Sequence, residues 1–422
     1  MDTIFALSSG APPAAIGVIR ISGTAAADAL EALAGRLPAP RRPSLARLKD
    51  TNGALLDEAL LLWFPGPATA TGEDCAEIQC HGGRAVIAAI SARLAQLPGL
   101  RAAEAGEFTQ RAFANGRLDL AQAEGLADLL AAETELQRAV AVDAAGGTLS
   151  QMFTDWRSRL LILSAHIESA LDFSDEDDVA GLPPSFEAGW AGLHSEIRDL
   201  LERPRVERLK DGIRVVLAGP PNAGKSMLFN AILQTDAAIV SPIAGTTRDA
   251  IERPVSIDGV PFVFIDTAGL RAETSDAIEQ IGIGRAQAEL ERADIILWLG
   301  PEGEGPRGSW EIATRSDEGI GIKDSARFTV SGLTGDGIAG LASGLSEAAK
   351  AILPGPGESA INARQAQLLG EAARALATGP VDDLLVTAEN LRSARFAFDR
   401  ILGTVATEDM LDTLFGRFCI GK

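Results

Sequence analysis

The sequence predicts a multidomain protein of α/β plus all-α class. A mixed N-terminal α/β domain comes first, and a helical domain follows into which a second α/β domain is inserted. Three observations carry this. Short apolar runs alternate with turn residues over the first hundred or so positions. Stretches with apolar residues at helical spacing stand on both sides of residues 212–350. Between them lies a strand–glycine loop–helix signature, Arg214–Ser226. The boundaries drawn on this basis are 1–117, 118–211, 212–350 and 351–422, with Pro354-Gly355-Pro356-Gly357 read as a linker. An inserted domain is the economical arrangement because chain ends in compact domains commonly lie close together. Two separate helical modules fit the same pattern.

Within 1–117, Ile16–Ile21 reads as a strand, and Thr24–Ala34 as a helix capped by Thr24. Ala59–Phe64 is an apolar run stopped by Pro65-Gly66-Pro67, and Ala85–Leu97 is helical up to Pro98-Gly99. Cys75, Cys80 and His81 match no common zinc spacing and read as structural. From Leu118 a helical stripe begins, broken at Gly146-Gly147, and a second runs from Phe153 to Leu171. Asp175–Asp178 reads as a solvated acidic loop. After the linker, helices are expected at about 361–376, 381–401 and 407–416.

The chain has 422 residues and a formal charge of −20, so a broad basic face for nucleic acid is excluded and any RNA contact must be local or supplied by a partner. Three scattered cysteines give no disulfide framework, which points to a reducing cytoplasm. The N-terminus lacks a basic, apolar leader pattern, and no apolar run reaches the ~18 residues of a membrane span.

Val215–Ala218 reads as a buried strand running into Gly219-Pro220-Pro221-Asn222-Ala223-Gly224-Lys225-Ser226, which opens a helix at Met227. Such a loop turns backbone N–H groups toward phosphates at a helix N-terminus. Lys225 then reaches the β- and γ-phosphates and Ser226 ligates Mg²⁺. Downstream, Asp266-Thr267-Ala268-Gly269 ends an apolar strand, suiting an outer Mg²⁺ contact and a γ-phosphate N–H. Between the two lies Ala244-Gly245-Thr246-Thr247, where Thr247 can close over Mg²⁺. This order and spacing predict a GTPase switch unit. The base-recognition elements depart from pattern. Thr314-Arg315-Ser316-Asp317 stands where N-K-x-D belongs, keeping only the aspartate, and Ser331-Gly332-Leu333 stands for S-A-[KL]. The segment from Leu299 to Trp310 is short where a helix is normal. Leu270 cannot orient water; Glu273, Asp276 and Glu279 are the nearby carboxylates, and Arg248, Arg271 and Arg285 the nearby cations.

Beyond these motifs, Gly17–Gly23, Thr71-Gly72-Glu73-Asp74, Glu77–Gly83, Gly106–Phe113, Asn115–Glu124 and the terminal Phe418-Cys419-Ile420-Gly421-Lys422 together resemble the MnmE (TrmE) family of tRNA-modification GTPases over almost the full length. The resemblance implies an N-terminal tetrahydrofolate-binding and dimerisation domain and a helical domain carrying a Ras-like G domain. It implies a cytoplasmic homodimer that forms a heterotetramer with an FAD-containing MnmG-like protein. This assembly would modify C5 of wobble uridine 34 in certain tRNAs, adding a carboxymethylaminomethyl or aminomethyl group from a 5-formyl- or 5,10-methylene-tetrahydrofolate.

Carried onto this sequence, the resemblance implies K⁺ on Asn222, Ser241, Ile243 and Thr246, and Mg²⁺ on Ser226 and Thr247. Nucleotide contacts would fall on Asn222, Ala223, Gly224, Lys225, Ser226, Met227, Ser241, Pro242, Ile243, Ala244, Gly245, Thr246, Thr247, Asp266, Thr267, Ala268, Gly269, Thr314, Asp317, Ser331 and Gly332. Glu279, before Gln280-Ile281-Gly282-Ile283, would orient the water, with Asp276 second. Folate contacts would fall on Arg20, Glu77, Arg117 and Lys422. A regulatory G protein without modifying activity and a degenerate GTPase serving as scaffold are the rival readings. Cys419 sits at a prenylation-like position, but Gly421 and Lys422 do not suit that motif.

Overall fold

The structure is a computed structural model. It describes residues 2–172, 182–235, 238–240, 252–266, 287–319, 323–405, 407–416, 418 and 420–421. The chain divides into two compact units. The first comprises residues 1–127, 150–154 and 398–422, and the second residues 128–149 and 155–397.

The first unit is built on a six-stranded sheet of β1 (Thr3–Leu7), β2 (Ile16–Ser22), β3 (Ser44–Lys49), β4 (Leu55–Phe64), β5 (Cys75–His81) and β6 (Leu100–Ala102), in the order β3-β4-β5-β2-β1-β6. Period-two alternation sorts its side chains. Ile19 and Ile21 of β2 join Ala76, Ile78 and Cys80 of β5 in one core, which also holds Ala26, Ala29, Leu30 and Leu33 of α1 (Ala26–Ala34) and Ile87, Ile90 and Leu94 of α2 (Arg84–Ala95). The alternate positions, Arg20 and Ser22 on β2, pair in register with Glu77 and Cys75 on β5. A smaller cluster there joins Ile4, Ala6 and Ala103 to Phe108 of α3 (Glu107–Ala114). Thr24 is not the cap of α1. The helix starts two residues later, with Ala25 at the N-cap position and no side-chain cap, and the Ala25 N–H donates instead to the Thr3 hydroxyl on a neighbouring strand at 2.9 Å.

Gly106, before α3, has φ +71°, and a Cβ there would meet the Phe415 carbonyl oxygen at 2.2 Å. Only glycine meets both demands, a left-handed backbone and a close approach. This glycine opens the Gly106–Phe113 signature.

In the second unit, the helical stripe is interrupted before Gly146. After α4 (Leu120–Ala131), whose first residues belong to the first unit, Thr134 and Gln137 form a capping box that starts α5 (Glu135–Gly146). Next come α6 (Thr148–Asp172), α7 (Pro184–Glu202) and α8 (Val206–Asp211). The nucleotide-binding sheet has seven strands: β7 (Ile213–Ala218), β8 (Ala238–Val240), β9 (Glu252–Ile257), β10 (Val260–Asp266), β11 (Ile295–Trp298), β12 (Trp310–Ala313) and β13 (Phe328–Thr329). Their order is β13-β12-β11-β7-β10-β9-β8, with β7 parallel to β10 and β11. Buried on both faces, β7 reads as a nearly continuous apolar run. Helices α9 (Lys225–Leu233) and α10 (Ile338–Lys350) contribute to its core.

The expected late helices are α11 (Ala363–Leu376), α12 (Leu384–Leu402) and α13 (Glu408–Phe415). Trp190 of α7 donates to the Leu376 carbonyl at 2.9 Å, so helices before and after the nucleotide-binding segment pack together. Between β11 and β12 the chain makes turns instead of a helix. Trp298 Nε1 donates to Pro301 O at 2.8 Å, and a Cβ on Gly305 would meet the Trp298 ring at 2.7 Å, so this short segment folds over the indole. Lys323 closes it, donating to Trp298 O at 3.0 Å and Glu311 Oε2 at 2.6 Å.

Candidate nucleotide and cofactor sites

β7 delivers the chain into the loop Gly219–Gly224, and α9 leaves it. Gly219 (φ +148°) and Gly224 (φ +92°) provide conformations that L side chains rarely adopt, and Asn222 takes a left-handed one (φ +62°). Lys225 is buried at the first turn of α9, and its Nζ donates to Gly219 O at 2.9 Å and Pro220 O at 2.8 Å. The ammonium is thereby held over the loop, at the positive end of a helix. Ser226 Oγ donates to Asp266 Oδ2 at 2.7 Å. Parallel pairing of β7 with β10, with Leu217 opposite Asp266, explains why residues forty positions apart meet.

The residues that the sequence expects at the base lie on the other side. Thr314 Oγ1 donates to Ala223 O at 3.1 Å, and Arg315 Nη2 to Asn222 O at 2.9 Å. Ser331, wholly buried, donates from Oγ to Asp317 Oδ1 at 2.6 Å and accepts from Leu333 and Thr334 N–H. A Cβ on Gly332 would meet Met227 Cγ at 2.8 Å. Asn222, Ala223, Met227, Thr314, Asp317, Ser331 and Gly332 therefore form one continuous rim beside Lys225, Ser226 and Asp266. Ser241, Pro242, Ile243, Ala244, Gly245, Thr246, Thr247, Thr267, Ala268, Gly269, Glu279 and Lys422 lie outside the described residues.

The donor chemistry fits hard cations. A hydroxyl and a carboxylate already in contact, Ser226 and Asp266, suit Mg²⁺, which prefers oxygen and keeps several waters. Asn222 offers an amide oxygen; among the described residues its side chain has no partner in the structure, its carbonyl being the atom that meets Arg315.

In the first unit, Arg20 Nη2 meets Glu77 Oε1 at 2.9 Å across β2 and β5, both half-buried. The pair sets guanidinium donors beside a carboxylate acceptor, a combination suited to the edge of a fused heteroaromatic ring such as a pterin. Arg117 Nε donates to Thr69 O at 3.1 Å, while Thr71 meets Ser22 Oγ at 2.7 Å on the same sheet face as Arg20. Cys75 contacts Thr71, Cys80 contacts Gly17 O, and His81 pairs with Asp57, so each has a local structural partner.

Sequence reading missed a network beside this face. Arg111, buried in α3, donates to Asp2 O, Asp2 Oδ1, both Glu73 oxygens and Glu107 Oε1. Arg101 grips both oxygens of Glu107, and Glu73 accepts from Ser22. Burial works to raise the Glu107 pKa, but hydrogen bonds from Arg101, Glu104 N–H and Arg111 outweigh it and hold the carboxyl below its usual range. Hydrogen bonding to Arg101 does the same for Asp2. The Glu107–Arg111 spacing of four was a legible signal for one pair; the partners at 2, 73 and 101 were not.

A buried parallel strand, a glycine loop, a lysine over that loop and a hydroxyl–carboxylate pair at the helix start define a P-loop nucleotide-binding protein. The comparisons narrow this class. Residues 3–117 match the family model described as the GTP-binding protein TrmE N-terminus, and residues 120–419 match the MnmE helical domain. A tRNA modification GTPase MnmE from Erythrobacter litoralis is 64% identical over 424 residues, covering 100% of both chains. The one from Novosphingobium aromaticivorans is 59% identical and that from Zymomonas mobilis 49%, again with 100% of both chains covered. This chain belongs to the MnmE family.

Proposed function

We propose that this chain is a GTP-hydrolysing enzyme of tRNA modification. In this reading it works as a homodimer in the cytoplasm with an FAD-containing MnmG-like partner. Together they add a carboxymethylaminomethyl or aminomethyl group to C5 of wobble uridine 34, using the one-carbon unit of a tetrahydrofolate. Its parts are a folate-binding domain at 1–117, a helical domain at 118–211 and 351–422, and a G domain at 212–350. The packing of Trp190 on Leu376 supports that division. The observation that carries the reading is the convergence of Lys225, Ser226 and Asp266 on one loop within a chain of this family. Among the described residues no helix is long and apolar enough to cross a membrane.

Lys225 would bind the phosphates, and Thr314, Asp317, Ser331 and Gly332 would line the nucleotide site. Ser226 and Thr247 would hold Mg²⁺, which neutralises phosphate charge when bound. Asn222, Ser241, Ile243 and Thr246 would hold K⁺, which supplies positive charge at the β–γ bridge in place of an arginine. Glu279 is assigned the orientation of the attacking water. Arg20, Glu77, Arg117 and Lys422 are assigned to the folate. The acidic chain leaves most of the phosphate contacts of tRNA to the partner.

The decisive test is mass analysis of wobble uridine in tRNA from cells lacking the chain. Unmodified uridine, restored by the intact gene, is expected; an unchanged nucleoside profile would favour the regulatory G protein. At the cation site, Asn222→Ala should bring turnover in K⁺ down to its rate in Na⁺ while leaving GDP affinity within about threefold, the worth of less than one hydrogen bond. A variant that keeps its K⁺ preference would remove Asn222 from the site.

A further inference from the structure

Thr314 and Arg315 occupy the positions where an asparagine and a lysine would serve base recognition, and the structure shows where their donors go. A threonine hydroxyl has one proton. That proton is directed to Ala223 O at 3.1 Å, within the phosphate loop. Arg315, itself left-handed at φ +58°, directs one N–H to Asn222 O at 2.9 Å, and its other arm approaches Glu318 at 3.7 Å. Both contacts bind carbonyls of successive loop residues, one of which carries the left-handed conformation at Asn222. Guanine N7 is an acceptor. With its proton on Ala223 O, the Thr314 oxygen can present only lone pairs to it. Asp317 is differently placed. Ser331 fixes one of its oxygens at 2.6 Å, and the carboxylate is exposed, ready to accept the N1 and N2 protons of a guanine.

We infer that Thr314 and Arg315 are positioning residues for the phosphate loop, and that the guanine ring is read on its N1–N2 edge by Asp317 while its N7 goes unread. The base specificity of this chain then rests on one edge of the ring. The inference rests on the reading of this unit as a guanine-nucleotide binder. Equal affinity for GDP and ADP would overturn that reading, whereas two guanine rings that differ only at N7 test the inference alone.

The experiment is competition binding to the full-length protein with GDP and 7-deaza-GDP, which lacks only the N7 acceptor, and with IDP, which lacks the 2-amino group. The expected result is that GDP and 7-deaza-GDP bind within twofold of each other, while IDP binds about three- to tenfold more weakly, the worth of one hydrogen bond. Thr314→Asn supplies a second N–H, so GDP should gain about three- to tenfold over 7-deaza-GDP in that variant. Thr314→Val, which keeps the shape and removes the proton, should lower the GTP turnover number and leave the GDP to 7-deaza-GDP ratio unmoved. A native protein that binds 7-deaza-GDP tenfold more weakly than GDP, or a Thr314→Val protein whose ratio changes, overturns the inference.

Discussion

Arg111→Met is expected to cost about 3–5 kcal/mol of stability in the first unit, the range for removing one partner of a buried ion pair. The reason lies in what the guanidinium satisfies. It is 9% exposed and meets three carboxylates and the Asp2 carbonyl. Methionine fills comparable volume but leaves Glu73 with the Ser22 hydroxyl and, among the described residues, no cation in contact, and strips the Asp2 carbonyl of its side-chain donor. Glu107 fares better because Arg101 still grips both its oxygens. The loss should therefore track Glu73 and the N-terminal strand more than α3. Hydrogen exchange of the full-length protein, read at the amides of β1 and β5, measures this by region; protection unchanged there would refute it.

The same network sets a pH dependence. Asp2 and Glu107 have folded-state pKa values below their unfolded ones. Their contribution is complete above the unfolded carboxylate range of about 3.9–4.3 and is lost as pH falls through the lower folded values. The urea midpoint of the native protein should drop steeply below about pH 4. In Arg111→Met the drop should be shallower, because part of the stabilisation is already gone at neutral pH.

Elements built from local pattern were legible in the sequence. The apolar runs Ile16–Ile21 and Val215–Ala218 mark most of strands β2 and β7, and α9 follows its loop as the motif requires. The missing helix between β11 and β12 was visible as a shortage of residues. What escaped depended on pairing between distant segments. The N–H just before α1 is satisfied by Thr3, on a neighbouring strand, and no window around Thr24 contains that information. The ion network needs residues 2, 73, 101, 107 and 111 together, which only the sheet order and α3 provide. Thr314 and Arg315 looked like losses from a motif because the sequence shows residue type and hides hydrogen-bond direction. Their donors turn toward the loop, which the fold alone reveals.

Lys225→Ala is expected to reduce GTP turnover at least about 10²–10³-fold, the effect of removing one preorganised electrostatic donor from a phosphoryl-transfer or acyl-transfer site. Two functions are lost together. The buried ammonium is the charge proposed to meet the phosphates, and its bonds to the Gly219 and Pro220 carbonyls tie down the turn of the loop. Folding should survive, since alanine is the best helix former and Leu228, Phe229 and Ile232 still anchor α9 in the core. Lys225→Arg separates charge from shape. It retains a cation, but a planar fork cannot place one ammonium between two carbonyls and a phosphate. Arginine should therefore restore less than about a tenth of the lost rate. Single-turnover phosphate release, with circular dichroism to verify the fold, decides the matter. Turnover of the alanine variant within tenfold of the native rate would mean that the loop does not use Lys225 as the structure arranges it.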